Sequence, residues 1–425
     1  MTVPTMTDEM KTLQTTTFPI TQVRNDFPIL ATILPNGCPL VYLDNGATAQ
    51  KPKCVIDKEV EVYEEYNANA HRGDYVFGVR LDEELEASRT LIANFIGANE
   101  PAEVVFTAGS TMSLNMVAHS WGRKFLKQGD EIVLNPMEHH ANIVPWQLIA
   151  AETGAVLKYV PLAVDGTFDL ASYREILSQK TRLVAVTGMS NVLGTVTPLE
   201  EIATAAKTVD ALVVVDGAQL VPHAPVDVQK LGIDFLAFSG HKIYGPTGVG
   251  VLWGRRELLE AMSPFLAGGH MIDRVFDDHS TWAALPAKFE AGTLPTAQAI
   301  ALGSAIEYVN KLGFPAIHRH EEELLHYAHE RLNAIDGVKI HGPAVEKKGS
   351  IVSFTLKDAH PQDVANLLDR KGVAVRYGHH CTMLLHEALG VSATVRASFA
   401  LYNTKEEIDV LADAIEFVKQ RLRIA

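Results

Sequence analysis

Lys242 has the surroundings that most clearly point to chemistry. It stands in Phe238-Ser-Gly-His-Lys-Ile-Tyr-Gly-Pro-Thr-Gly-Val-Gly250, after an apolar run and before a glycine-rich turn. A lysine half withdrawn from water has a lowered pKa, and its free amine can condense with an aldehyde as a Schiff base. Upstream, Asp216 closes the apolar run Leu212–Val215. That places its carboxylate at the mouth of a sheet, where it can keep a pyridine nitrogen protonated. Alone, Asp216 reads equally well as a helix N-cap. Gln219 can donate to a ring phenolate. Val104–Thr111 reads as strand, small-residue turn and helix start, which binds anions through free backbone N–H groups. Ser110 and Thr111 add hydroxyls there, although capping explains them equally. His139, in Glu138-His-His-Ala-Asn142, can lie flat on a pyridine ring and handle protons. An aldehyde, a pyridine and a phosphate together describe pyridoxal 5'-phosphate.

Further along, Arg376-Tyr-Gly-His-His-Cys381 places a cysteine in a Gly/His loop beside an arginine. That electropositive setting favours thiolate, although a small packed thiol is the ordinary alternative. Arg396, in Val395-Arg-Ala-Ser-Phe399, can clamp a carboxylate with two parallel hydrogen bonds or make a common surface ion pair. The histidine pairs with Cys381 invite a metal reading, but HExxH and paired CxxC spacings are absent. The expectation is no metal.

The elements that must position these residues alternate in type. Short β-branched runs occur at Val41–Leu43, Val104–Phe106, Glu131–Leu134, Val156–Val160, Leu183–Thr187, Leu212–Val215, Phe235–Phe238 and Val249–Trp253. Helical spacing occurs at Val55–Tyr66, Leu81–Ile96, Leu114–Lys127 and Leu199–Val209. This alternation predicts an α/β fold with a mostly parallel sheet covered on both faces, whose ligands gather at the carboxyl ends of the strands. A helix over Ala297–Leu312 leads into a smaller α/β region. There Glu321–Ala334, Asp363–Arg370 and Lys405–Arg421 read as helices, and Ile351–Leu356, Val373–Arg376 and Val395–Phe399 as strands. The organisation expected is a tail over 1–17, an N-terminal segment over 18–38, a large cofactor-binding domain over 39–310 and a small C-terminal domain over 311–425.

Composition excludes other classes. The 425 residues carry 37 basic and 51 acidic side chains, a net charge of −14. Nucleic acid and anionic membrane are therefore not expected partners. Three scattered cysteines, Cys38, Cys54 and Cys381, do not make a disulfide framework and fit a reducing compartment. The first 20 residues lack the apolar core of a signal peptide, and no apolar run is long enough to span a bilayer. The cytoplasm is the expected location.

Taken in order, these motifs resemble the fold-type I pyridoxal-phosphate enzymes of the class V aminotransferase family. Within it they are most similar to the group II cysteine desulfurases, the SufS/CsdA-like enzymes related to selenocysteine lyases. The segments that carry the resemblance are YLDNGATAQKP at 42–52, NAHRG at 69–73, EHHANIVPW at 138–146, SNVLGT at 190–195, VDGAQ at 215–219, SGHKIYGPTG at 239–248, FEAGT at 289–293, RYGHHC at 376–381 and RASFALYNT at 396–404.

The resemblance implies a role for each position. Lys242 holds the cofactor, Asp216 faces its pyridine nitrogen, Gln219 its phenolate, and His139 stacks on the ring. Ser110, Thr111, Ser239 and His241 bind phosphate, with Thr293 reaching over from a second subunit of a homodimer. Asn191 and Arg396 hold the substrate carboxylate, with His71 and Arg376 nearby, and Cys381 accepts sulfur. The implied reaction converts L-cysteine to L-alanine, leaving a persulfide on Cys381 that a protein acceptor of the SufE/CsdE or SufU type carries towards iron–sulfur cluster assembly. Selenocysteine lyase or another class V lyase or aminotransferase is the enzymatic alternative, and a cofactor-free scaffold the non-enzymatic one. Three positions depart from the family pattern: Gly188 for a common His, Met112 for a common Glu, and Leu294-Pro-Thr296 for the usual Pro-Asn.

Overall fold

A computed structural model describes residues 18–71 and 73–424, so the tail expected over 1–17 lies outside the described residues. Fifteen strands are described. In chain order they are β1 Val41–Tyr42, β2 Val104–Thr107, β3 Glu131–Leu134, β4 Val156–Tyr159, β5 Thr181–Thr187, β6 Leu212–Asp216, β7 Phe235–Ser239 and β8 Gly250–Gly254, followed by β9 Ile272–Val275, β10 Ser280–Trp282, β11 Val338–His341, β12 Ile351–Leu356, β13 Val373–Ala374, β14 Arg376–Gly378 and β15 Thr394–Ser398.

Seven of them form the main sheet in the order β2-β8-β7-β6-β5-β3-β4. Only β8 runs against its neighbours, so the expected mostly parallel sheet is present. Its central strands are apolar on both faces because helices cover both. From Leu183 to Thr187 and from Val213 to Asp216 every residue is buried, and each such Val or Leu contributes about 1.5–3 kcal/mol. The helix Leu199–Lys207 buries Leu199, Ile202, Ala203 and Ala206, the spacing of one helical face. While Ser110–Met116 and Val144–Thr153 cover the opposite face, Thr296–Leu312 packs on the same side against Lys53–Glu65 and Val76–Phe95. A Cβ on Gly303 would lie 2.8 Å from Ser88 Oγ, so glycine lets these helices close until Ser88 donates to the Ala299 carbonyl at 2.7 Å. The predicted helix over Leu114–Lys127 is present within a continuous helical run from Ser110 to Phe125 that widens to a π turn at Val117–Gly122.

A second, four-stranded antiparallel sheet in the order β11-β12-β15-β14 is backed by the helices Phe314–Asn333, Pro361–Asp369 and Lys405–Leu422. The run predicted as one strand over Val373–Arg376 divides. β13 pairs in parallel with β1, and β14 joins β15. Val41 and Leu43 accordingly pack into the C-terminal core with Val373, Val395 and Ile415. The smaller unit thus draws on both ends of the described chain.

Candidate active site

Five strand ends of the main sheet open onto one cleft of about 460 Å³, lined by Ser110, Thr111, His139, Asn191, Asp216, Gln219, Ser239, His241 and Lys242, with Arg376, Cys381 and Arg396 from the smaller unit. The turn that carries Lys242 is held from behind. The carbonyl of His241 accepts from Lys51 Nζ at 3.0 Å, from Thr48 Oγ1 at 3.2 Å and from the Ala49 N–H at 3.1 Å.

Lys242 is half-buried. Desolvation brings its pKa down to about 8, opposed by Asp216 and assisted by Arg396. Burial likewise pushes Asp216 upward, with Lys242 acting against it. Both groups are thus drawn towards neutrality by loss of water, with each other as the principal charge partner. His139 accepts the Ala141 N–H on Nδ1 at 3.1 Å, so its proton sits on Nε2. Burial, then Lys242, holds its pKa at about 4, and burial does the same to His241. Ser110 and Ser239 share a hydrogen bond of 2.9 Å between their hydroxyls at the start of the helix Ser110–Met116. Gly109, at φ +142°, makes the turn into that helix, and a Cβ on Gly250 would lie 2.4 Å from its Cα. The floor is therefore open only because both positions are glycine.

The chain from residue 41 to 411 matches the sequence profile of the family described as Aminotransferase class-V. The chain belongs to that family. A "probable cysteine desulfurase" of Halalkalibacterium halodurans is 49% identical over 399 residues, 94% of this chain and 98% of that one. Among solved structures, the cysteine desulfurase CsdA of Escherichia coli, in an S-sulfonic acid form, is 38% identical and superposes with a TM-score of 0.88, covering 96% of this chain and 100% of that one. An apo cysteine desulfurase from Thermococcus onnurineus NA1 is 39% identical with a TM-score of 0.89, covering 96% and 99%. Within the class-V aminotransferases, this chain stands with the cysteine desulfurases.

The cleft suits the family's cofactor, pyridoxal 5'-phosphate. A half-buried lysine with a lowered pKa, a buried carboxylate facing it, a neutral histidine and a glycine-floored hydroxyl pair are the donor set that an aromatic aldehyde with a phosphate tail requires. The Gln219 amide already gives one hydrogen to the Gly46 carbonyl at 2.6 Å and keeps one for a ligand.

The end of the cleft formed by the smaller unit is rich in cations. Arg396, 2% exposed, gives Nη1 to the Asn191 carbonyl at 2.9 Å and Nη2 to Asp44 Oδ1 at 3.2 Å, while its buried Nε has no partner. Cys381 is exposed at the lip, in electrostatic reach of Lys242, Arg376 and Arg396. Its N–H donates to His379 Nδ1 at 3.1 Å, and its carbonyl accepts from the His140 N–H at 2.8 Å. His380 and Cys381 both hold positive φ, +50° and +58°, a backbone that only surrounding contacts sustain.

Sequence reasoning missed Asp44 and His380 as site residues. His71 and Thr293 lie elsewhere in the chain, together in a second cavity of about 220 Å³ with His270, on which His71 stacks at 4.2 Å. Glu290, just before Thr293, makes a buried ion pair of 2.7 Å with Arg89 and accepts the Phe106 N–H at 2.7 Å, which anchors that loop to β2. The departure at Gly188 has a cause within the chain: a Cβ there would lie 2.7 Å from Leu220 Cδ2. Leu220 fills the space a larger side chain would need. Met112 turns its sulfur to the Ala108 N–H at 3.3 Å. Among the described residues, no group of three or more His, Cys, Asp or Glu is placed to hold a metal ion, and no helix is long and apolar enough to cross a membrane.

Proposed function

We propose that this protein is a cysteine desulfurase that moves the sulfur of L-cysteine onto Cys381 as a persulfide, releases L-alanine, and delivers the sulfur to a protein acceptor for iron–sulfur cluster assembly. The observation that carries this reading is the position of Cys381 on the same cleft as Lys242, Asp216 and Arg396. An aminotransferase has no use for a thiol there.

Pyridoxal phosphate, when bound, supplies an electron sink for the carbanion formed at the substrate Cα. Lys242, Asp216, Gln219 and His139 would hold its ring end, and Ser110, Thr111, Ser239 and His241 its phosphate. The remaining work falls to side chains of this chain. Arg396 grips the α-carboxylate. Lys242 Nζ, poised near neutrality by burial, takes the Cα proton and returns it. Cys381 Sγ forms a bond to the substrate sulfur as the Cβ–S bond breaks. The carbon keeps the electron pair and takes a proton, so cysteine and a thiol become alanine and a persulfide. The exposed lip leaves Cys381 open to an acceptor thiol of the SufE/CsdE or SufU type. Alanine release from L-cysteine, with and without a candidate acceptor, tests the reading alongside mass spectrometry of the Cys381 peptide. Absence of both alanine and a persulfide would overturn it.

The active unit is a homodimer. His71 and Thr293 do not reach their own chain's cleft, and beside them the helix Val76–Phe95 begins with Tyr75, Val76, Phe77 and Val79, all about half or more exposed. An apolar patch of this kind marks an interface, and a two-fold axis through it would bring Thr293 to the partner's phosphate site. Sedimentation at assay concentration checks this: a fully active monomer contradicts it.

A further inference from the structure

The structure assigns to Asp44 the role of deciding which of two arginines receives the substrate's carboxylate, a positioning role that rests on the desulfurase reading above. One carboxylate serves two guanidinium groups. Arg376 gives Nε to both oxygens at 3.1 Å and Nη2 to Oδ2 at 2.8 Å. This is a fork against a fork, and it occupies the face with which Arg376 would otherwise bind a second carboxylate. Arg396 spends only one Nη2 hydrogen on Asp44 and one Nη1 hydrogen on the Asn191 carbonyl. Unlike that of Arg376, its Nε stays unpartnered, so it can bind a carboxylate on that side without releasing either tether.

Asp44 is held where it stands. Its residue bridges to Ser398 of β15, the Ser398 N–H donates to the Leu43 carbonyl at 2.8 Å, and the Asp44 carbonyl accepts from Ala47 N–H at 3.0 Å. Gly46 completes the fit, since a Cβ there would come within 3.2 Å of Arg396 Cζ. The Asp44 carboxylate therefore stays when substrate arrives. With Arg376, Arg396 and Lys242 all at this end of the cleft, a free Arg376 would welcome an amino acid with a second acidic group. With Asp44 in place, such a ligand meets a guanidinium already paired along its Nε/Nη2 side, and a fixed negative charge. Asp44 thereby selects amino acids with one carboxylate.

The test uses the holoenzyme and reads binding through the absorbance of its cofactor, with L-alanine and L-aspartate as probes. In Asp44→Asn the affinity for L-aspartate relative to L-alanine should rise about tenfold, a typical size for releasing one charge partner. KM for L-cysteine should rise while kcat stays within about threefold, because Arg396 loses a tether that orients binding. Asp44→Glu, which keeps the charge, should retain the wild-type ratio, and Asp44→Asn with Arg376→Met should lose the gain. A gain in the ratio below about threefold, or one that survives removal of Arg376, overturns the proposal. Asp44→Ser, equally neutral, stands in if Asp44→Asn does not fold. A wild-type enzyme that releases no alanine from L-cysteine would sink the desulfurase reading but leave the binding ratio as a test of Asp44.

Discussion

The side-chain amide of Asn191 donates to the carbonyl of His380 at 2.8 Å. The same residue's backbone carbonyl holds Arg396, so one asparagine ties Arg396 to the loop that carries Cys381. His380 is pinned on its other side by Thr394 Oγ1 at 3.0 Å, and burial keeps its ring neutral, with a pKa of about 2.

Asn191→Ala should therefore slow sulfur transfer by about tenfold or more, the effect of stranding one buried hydrogen-bond partner, while the cofactor's absorbance is retained. Single-turnover alanine release against the visible spectrum checks this. Equal loss of both would mean that Asn191 serves the fold alone.

Cys381→Ala should bind cofactor normally and make no persulfide from L-cysteine, because Cys38 and Cys54, the other two cysteines, are not among the residues lining the cleft. Selenocysteine should still be turned over, since a selenol leaves more readily than a thiol. Alanine release from the two substrates separates the cases.

Lys348 is 7% exposed, and its Nζ has no hydrogen-bond partner. Burial lowers its pKa from 10.5 to about 8. The unfolded chain holds that proton more tightly, so stability should rise as pH climbs from about 8 towards 10.5. Lys348→Met should stabilise the protein at pH 7 by roughly 3 kcal/mol and remove that part of the pH dependence. Urea unfolding at pH 7 and pH 9.5 reads both effects.

Gly188→His should be strongly destabilising, by about 1–3 kcal/mol, as overpacking against Leu220 demands. Leu220→Ala should recover most of the loss when the two are combined. Melting temperatures of the single and double variants suffice, and a double variant no better than Gly188→His would refute the pairing.

The sequence disclosed the site better than its wiring. Lys242, Asp216 and His139 follow strands whose uninterrupted apolar runs announce burial, and β3 and β12 begin and end where patterning placed them. The reversed direction of β8 leaves no mark on residue order. The helix Val144–Thr153 also escaped detection: Val144 and Leu148 are exposed among apolar neighbours, so no amphipathic stripe shows. Asp44 and His380 act through partners far away in the chain, 332 residues from Asp44 to Arg376 and 189 from His380 to Asn191. Local spacing carries no trace of such pairs.

The parallel pairing of β1 with β13 bears on how the protein is made. A ribosome releases β1 long before the strand that completes its hydrogen bonds, and Gly46 waits 352 residues for the hydroxyl of Ser398. The seven-stranded sheet can assemble in the meantime, since all its strands lie between Val104 and Gly254. Until β13 and β15 arrive, Val41, Leu43 and the Asp44 carboxylate lack the partners that cover them. Such late, long-range closure is slow and exposes sticky surface to other chains. Nascent copies should therefore depend on chaperones until β13 and β15 have emerged.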